Sequence, residues 1–213
     1  HTVDLRTGDT IDLPRAACGF AYRDSRFKRE STRSTAVVGL TLALRPGGET
    51  TVVYPELQRR IAEAGDRSLA TVRATVLGIR RGKSMVIDPD DPNRRSAGSF
   101  FTNPVVDDAT LAVIVERARD EVPSWPVEPG HTKVPAAWLI ETSGFPKGFV
   151  DGEAGLSSRH VLALINRGEA RAQDLLSLAR KIQRRVFDTY GVRLRPEPVP
   201  LGFAPGEVDD LWW

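Results

Sequence analysis

The chain has 213 residues, of which 40% are hydrophobic and 27% are charged, and its formal net charge at pH 7 is +2. This balance is typical of a globular protein. The near-neutral net charge excludes the class of strongly basic proteins that bind polyanions through a large excess of positive charge. The single cysteine, Cys18, excludes an internal disulfide and a cysteine-based metal cluster, so we expect no metal site. No stretch reaches the roughly 20 apolar residues that a membrane helix needs, so we expect no membrane span.

The first fifty residues carry signals for β-structure. Residues 3–13 alternate around Thr7-Gly8-Asp9, which predicts a hairpin. Residues 16–34 are polar and basic and are predicted to form a long loop. Residues 36–44 are rich in Val, Leu and Thr, which predicts a strand that ends before Pro46-Gly47-Gly48.

Beyond residue 50 the apolar residues recur at helical spacing. The predicted helices cover residues 55–64, 69–80, 107–118, 134–142 and 172–190. The fourth should bury Trp138 and Leu139, and the fifth should end at a Gly191 cap. Residues 161–165 predict a short strand, whereas the prolines in 88–99 and 123–130 predict irregular connections. The fold class is therefore α+β, with a β-rich part over residues 1–52 and an α+β domain over 53–213.

Two side chains stand out as candidates for chemistry. Ser99 follows Gly98 and precedes two phenylalanines, which predicts a tight turn pinned to a core with the hydroxyl facing a cleft. A lone serine with no identifiable base is usually structural, so this motif is weak by itself. Glu197 lies between two prolines that fix its backbone, so its carboxylate is either a rigidly held acid or a surface turn residue.

Each cationic or aromatic candidate for ligand binding has both a structural and a functional interpretation. Arg80, Arg81 and Lys83 end a predicted helix, where they complement the helix C-terminus or form a clamp for phosphate or carboxylate. His160 precedes an apolar strand, where a satisfied structural histidine is the usual case. The loop around Tyr22 is long enough to fold over a ligand, although such loops are usually solvated.

Taken in order, several segments resemble the MurB family of UDP-N-acetylenolpyruvoylglucosamine reductases. They occur in the family's order and spread over most of the chain. The segments are CGFAYRDSRFK at 18–28, IRRGK at 79–83, SAGSFFTNPVV at 96–106, AAWLIE at 136–141, the stretch 157–166, and LRPE at 194–197.

The resemblance implies a cytoplasmic, NADPH-dependent enzyme of peptidoglycan synthesis. Such an enzyme uses FAD to reduce UDP-N-acetylglucosamine enolpyruvate to UDP-N-acetylmuramate. Hydride from the flavin goes to the terminal vinyl carbon, and the other carbon takes a proton. On this pattern Ser99 is the proton donor and Glu197 helps to stabilise the intermediate. The positions that match or neighbour substrate-binding residues are Tyr22, Lys83, Asn103, Arg80 and His160.

The resemblance also implies what these residues do not supply. The family's flavin domain, with its glycine-rich phosphate loop, lies N-terminal to the matching segments, and Gly47-Gly48 is only a turn. We therefore expect residues 1–52 to be the C-terminal portion of the FAD-binding region, including the Tyr22 loop, and 53–213 to be the substrate-binding domain. Most cofactor-binding residues, and a catalytic arginine, should lie in the N-terminal part. Pro198-Val199-Pro200 stands where the family often carries a further arginine.

Two functions of other classes make different demands on these residues. A nucleotide-sugar binding module without redox activity is the alternative, and the presence of Ser99 argues against it. A helical domain that contacts nucleic acid would use the basic run Arg180-Lys181 and Arg184-Arg185. That run lacks interleaved aromatics and the net charge is small, so we expect no nucleic-acid partner.

Overall fold

The computed structural model describes residues 1–21, 24–28 and 34–212. They form two compact units, one spanning His1–Glu49 and a second from Thr50 onward. Helices and antiparallel sheets occur together, which confirms the predicted α+β class. None of the helices in the described ranges is long and apolar enough to cross a membrane.

The first unit is built on a three-stranded antiparallel sheet in the order β2-β1-β3. Its strands are β1 (Thr2–Asp4), β2 (Thr10–Ile11) and β3 (Thr35–Val37). Thr2 pairs with Ile11, which confirms the predicted hairpin. The segment predicted as a loop also contains the short helix α1 (Arg15–Cys18) and a 3-10 turn at Arg26–Lys28.

The strand predicted over residues 36–44 is wrong beyond Val37. Leu40, Leu42 and Leu44 alternate as in a strand, but their exposed fractions are 71%, 67% and 82%. Among the described residues, 40–44 pair with no strand. A β-favouring sequence becomes a strand only where a partner completes its ladder of hydrogen bonds, so the apolar alternation was not sufficient.

The second unit holds two antiparallel sheets. A four-stranded sheet has the order β4-β10-β9-β8, and a three-stranded sheet has the order β5-β7-β6. The strands are β4 (Ser96–Ser99), β5 (Val105–Asp107), β6 (Trp125–Glu128), β7 (His131–Lys133), β8 (Val150–Asp151), β9 (Ala154–Leu156) and β10 (Ala163–Asn166).

Two of these strands correct the sequence predictions. β4 lies in a stretch predicted to be irregular, because its four residues include no β-branched or aromatic side chain and its pairing with β10 is long-range. β6 lies in the proline-rich connection. It is one of the two edge strands of its sheet, where a proline removes fewer ladder hydrogen bonds than in a central strand.

The five predicted helices are confirmed within two residues at each end. The helices are α2 (Pro55–Ala64), α3 (Leu69–Gly82), α4 (Asp108–Arg117), α5 (Ala136–Thr142), α6 (Ala172–Tyr190) and the unpredicted α7 (Asp209–Trp212). The carboxylate of Asp107 accepts a hydrogen bond from the Thr110 N–H and so caps α4. Gly191 has a φ of 73°, which ends α6 in the left-handed conformation that favours glycine.

The main hydrophobic core lies in the second unit. Helix α6 packs against β9, β10, α4 and α5, and it fully buries Leu178, Ile182 and Val186. Leu139 on α5 is fully buried as predicted, whereas Trp138 is half-buried and contacts Tyr190 with the rings tilted and their centroids 5.5 Å apart. This core forms the rigid support for the four-stranded sheet.

We predict that Leu139→Ala lowers the free energy of unfolding by about 2–5 kcal/mol, because it removes buried methyl groups and leaves a cavity. Leu69→Ala is the matched control: Leu69 starts α3 and is 73% exposed, so its loss should change stability by less than about 0.5 kcal/mol. Urea unfolding followed by tryptophan fluorescence measures both. Equal losses in the two variants would contradict this description of the core.

Candidate functional site

Ser99 is the last residue of β4 and pairs with Ala163 of β10. The residue before it, Gly98, has a φ of 79°, a conformation that side-chain-bearing residues adopt only with strain. The two aromatic residues after it, Phe100 and Phe101, are buried, with ring centroids 5.1 Å apart in an edge contact. The predicted tight turn is therefore the end of a strand, although it is pinned to the core as expected.

His160 approaches Ser99 from the loop between β9 and β10. Its Nε2 atom lies 3.3 Å from the Ser99 Oγ atom, within hydrogen-bond distance. Burial lowers the pKa of His160, the positive charges of Lys83 and Lys147 lower it further, and Glu141 acts in the opposite direction. The imidazole is therefore held towards its neutral form. This is the partner that the sequence could not identify for the serine.

A buried asparagine holds the loop 157–162 that carries the histidine. Asn93 is 4% exposed, and its Oδ1 atom accepts a hydrogen bond of 3.0 Å from the Ser158 N–H. Its Nδ2 atom lies 3.2 Å from the Ser158 hydroxyl. The guanidinium of Arg159 donates to the backbone carbonyl of Arg81 at 3.0 Å, which ties the same loop to the end of α3. The asparagine and the serine lie 65 positions apart, so no local pattern could have indicated the clamp.

Lys83 lies at the C-terminal cap of α3, and its backbone N–H donates to the backbone carbonyl of Arg80. Its ammonium group forms an ion pair with Glu56 of α2, with Nζ and Oε2 3.2 Å apart. The lysine side chain is 50% exposed, so an anionic ligand can reach it. Arg80 is also exposed. Glu56 was not among the predicted residues, because nothing in the sequence joins it to the end of the next helix.

Glu197 lies on a segment that runs beside the residues following Ser99. Its backbone N–H donates to the carbonyl of Phe100 at 2.8 Å, and Pro196 forms a β-bridge with Phe101. The structure thus brings the backbone positions of Ser99 and Glu197 together although nearly half of the chain separates them.

Asn103 is engaged at the start of a helix. Its Oδ1 atom accepts a hydrogen bond of 3.0 Å from the N–H of Ala136, the first residue of α5. It also borders a cavity of about 690 Å³ that Ser99, His160 and Lys83 do not line. In the described part of the chain, the side chains of Asn103 and Arg80 make no hydrogen bond to Ser99 or His160.

Tyr22 lies outside the described residues, so its assignment as a substrate-binding residue stays a prediction. No group of three or more His, Cys, Asp or Glu side chains that could hold a metal forms within residues 1–21, 24–28 and 34–212. In those same ranges, no strand leads through a glycine-rich loop into a helix, which is the arrangement that binds the diphosphate of a dinucleotide.

The chemistry available at this site follows from the groups that meet. A hydroxyl that is hydrogen-bonded to an imidazole can act as a proton donor or as an activated nucleophile. The ammonium group of Lys83 can hold an anion. The carboxyl group of Glu197 can stabilise one, provided that the carboxyl is protonated or hydrogen-bonded. The arrangement is suited to an acid-base step on an anionic ligand.

Comparison with known proteins gives a consistent picture. A sequence profile of the family described as UDP-N-acetylenolpyruvoylglucosamine reductase, C-terminal domain, matches residues 90–201. Among the proteins similar to this chain are two named UDP-N-acetylenolpyruvoylglucosamine reductase. The one from Streptomyces avermitilis is 45% identical over 208 residues, covering 93% of this chain and 57% of the relative. The one from Salinispora arenicola is 49% identical over 209 residues, covering 94% and 57%. The chain thus spans little more than half the length of these relatives.

We predict that Asn93→Ala loosens the loop 157–162, because the Ser158 N–H loses its buried acceptor. Amide hydrogen exchange at Ser158 should become about 10-fold faster or more, as expected for a lost buried hydrogen bond. The amide of Gly168, which donates to the side chain of Asn166, is the internal control and should not change. Unchanged exchange at Ser158 would show that the clamp does not hold the loop.

Proposed function

This chain belongs to the family of UDP-N-acetylenolpyruvoylglucosamine reductases and contains its C-terminal domain, and from that premise we propose that it supplies the substrate-binding half and the proton donor of such a reductase. The reaction is the NADPH-dependent, FAD-mediated reduction of UDP-N-acetylglucosamine enolpyruvate to UDP-N-acetylmuramate in peptidoglycan synthesis. The relatives that share this sequence are named for this reductase.

The observation that carries the proposal is the convergence of Ser99 and Glu197. The Glu197 N–H donates to the carbonyl of Phe100, the residue next to Ser99. The Ser99 hydroxyl and the Glu197 carboxyl are thus carried on adjacent backbone segments, which supports a joint role for them in reduction of an enolpyruvyl ether. Lys83, which is exposed and lies close enough to influence the pKa of His160, is suited to the diphosphate of the substrate.

The protein groups act on the substrate as follows. When bound, FAD supplies the hydride. Once a hydride has been added to the terminal vinyl carbon, negative charge develops on the neighbouring carbon and spreads into the carboxylate. The Ser99 hydroxyl donates its proton to that carbon. Serine is a weak acid, but the enolate is a strong base and the hydroxyl is positioned for the transfer. Glu197, in protonated or hydrogen-bonded form, stabilises the anion.

We assign residues 53–213 to the substrate-binding domain and residues 1–52 to the C-terminal portion of the FAD-binding region. The N-terminal, FAD-carrying part of the enzyme is then the obligatory partner, and this chain alone should not sustain NADPH oxidation. The cytoplasm, where NADPH and nucleotide sugars are made, is the expected location. Asn103, Arg80 and Tyr22 are assigned to the substrate on the resemblance alone.

The alternative is a module that binds a nucleotide sugar without redox chemistry. Such a module would need Lys83 and its neighbours but would have no use for a serine held against a histidine at the end of a strand. The two functions are separated by changing Ser99, because a binding module would keep its affinity and have no turnover to lose.

We predict that Ser99→Ala separates the two half-reactions in a chimaera that joins this chain to the N-terminal part of the Streptomyces avermitilis relative. Stopped-flow absorbance should show normal reduction of the flavin by NADPH. Reoxidation by the enolpyruvyl substrate should slow about 100- to 10,000-fold, because the proton donor is gone. Ser177→Ala, at an exposed position on α6, is the control and should leave both rates unchanged. A parallel fall in both half-reactions would make Ser99 a structural residue.

We predict that two changes at the α2–α3 ion pair have opposite effects on ligand affinity. In a calorimetric titration of the enolpyruvyl UDP-sugar into this chain, Lys83→Ala should weaken binding about 10-fold or more, because a charge-assisted contact to phosphate is lost. Glu56→Gln should tighten binding about 2- to 5-fold, because the exposed carboxylate no longer competes for the ammonium.

Glu63→Gln is the matched control on the same helix. Glu63 pairs with Arg59 and not with the lysine, so its loss should leave the affinity unchanged. Tighter binding in both glutamine variants would point to a general effect of removing negative charge and would contradict the specific competition by Glu56.

A further inference from the structure

The histidine beside Ser99 is held in place more firmly than a surface loop residue. The loop 157–162 is fixed to Asn93 and to the end of α3, and its last turn is closed by a hydrogen bond of 3.0 Å from the Ala163 N–H to the His160 carbonyl. Ala163 is also the residue that pairs with Ser99. The strand pairing and the loop therefore set the distance between the hydroxyl and the imidazole together.

The position of the hydroxyl proton decides what this pair can do. If the imidazole carries its proton on Nε2, it donates to the Ser99 oxygen, and the serine proton is free to point at a ligand. If the proton is on Nδ1, Nε2 accepts the serine proton, and the serine becomes an activated nucleophile. A proton donor to carbon needs the first arrangement.

We propose that His160 is the positioning residue that turns the Ser99 hydroxyl towards the substrate and returns a proton to it in the same step in which the serine proton is transferred, and is not a ligand of the substrate. This rests on the proposed function, since it concerns the proton that Ser99 gives to the enolpyruvyl carbon.

Water supplies the proton that the reaction consumes. The Ser99 O–H bond breaks as the new C–H bond forms, and its electron pair stays on the oxygen. The Nε2–H bond of His160 breaks as the serine O–H bond is restored, and Nδ1 takes up a proton from water. The result is one proton moved from solvent to carbon, with the serine neutral and the imidazole in its other tautomer, which exchanges with solvent before the next turnover.

The surroundings of the ring suit this relay and not contact with an anion. Lys83 and Lys147 supply positive charge beside it, Glu141 opposes them, and the pKa of His160 is lowered chiefly by burial. A neutral imidazole gives little electrostatic attraction to a diphosphate, whereas the two ammonium groups give much more. A neutral imidazole is also the form that can both donate at Nε2 and accept at Nδ1. Since the ring is only half-buried, water can reach part of it.

Nitrogen-15 NMR of the imidazoles tests the proton position in this chain directly. The sequence has only three histidines, so the His160 signals are assigned by comparison with His160→Gln. We expect the neutral ring to be protonated on Nε2, and Ser99→Ala to shift the Nε2 signal while those of His1 and His131 stay unchanged. A ring protonated on Nδ1 would overturn the proposal, and so would an Nε2 signal that ignores the loss of the serine hydroxyl.

Kinetics of the chimaera test the relay itself. A glutamine at position 160 can still donate an N–H to the serine oxygen but cannot pass a proton on. We expect His160→Gln to slow reoxidation of the flavin by the enolpyruvyl substrate about 10- to 100-fold, within the range of general acid catalysis, with flavin reduction unchanged. In mixtures of light and heavy water the parent rate should depend on the deuterium fraction in a curved manner, because more than one proton moves. The variant should give a straight line. His131→Gln, a change at the other histidine of the same unit, is the control for both readouts.

The outcomes separate this proposal from the one on which it rests. An active parent with a His160→Gln variant of equal rate and equally curved isotope dependence would overturn the relay and leave the proposed function intact. A parent chimaera that takes up flavin and is reduced by NADPH but never reduces the enolpyruvyl substrate would overturn the proposed function, and the relay with it.

Discussion

The antiparallel pairing of β4 with β10 is the constraint on which the candidate site depends. It sets Ser99 opposite Ala163, and the turn that precedes Ala163 carries the imidazole to the serine oxygen across 61 positions of sequence. Beyond the strand, the Phe100 N–H donates to the carbonyl of Leu162. The carbonyl of Phe100 in turn accepts a hydrogen bond from the Glu197 N–H, which positions the segment that carries Glu197. Because the sheet rests on the buried face of α6, these groups inherit the rigidity of the core. A site built in this way needs little reorganisation to act on a ligand.

The five longest described helices of this protein could be predicted from the sequence, and several of its strands could not. The helix α6 has an apolar stripe over 19 residues and a glycine at its end, and both signals are local. The strands β8 and β9 have two and three residues, which is too short for a periodic pattern to appear. β4 consists of Ser, Ala, Gly and Ser, and it becomes a strand only because β10 binds it. At residues 40–44 a strand was predicted and none forms. The cause is again the pairing partner, because a strand-like sequence forms a strand only where a second strand completes its hydrogen bonds.

The residues of the candidate site also differ in whether local sequence could identify them or only long-range contacts could. Ser99, Glu197 and Lys83 could be named in advance because each lies in a segment that resembles the family. Glu56, Asn93 and the approach of His160 to the serine could not, because each depends on which distant segments meet. Sequence therefore indicated which groups are candidates for the chemistry, and the fold was needed to find the groups that contact them.

The hydrogen bond between Asn103 and the start of α5 has a consequence for what this residue can recognise. A backbone N–H can only donate, so the end of the amide that faces Ala136 must be the carbonyl oxygen, and the orientation of the side chain is settled by chemistry. The remaining end, the amide NH₂, can only donate. A ligand atom that meets this NH₂ group must therefore be an acceptor, such as a carbonyl or phosphate oxygen. The helix start thus fixes the hydrogen-bonding polarity of this position, and aspartate could replace the cap but would reverse the selectivity.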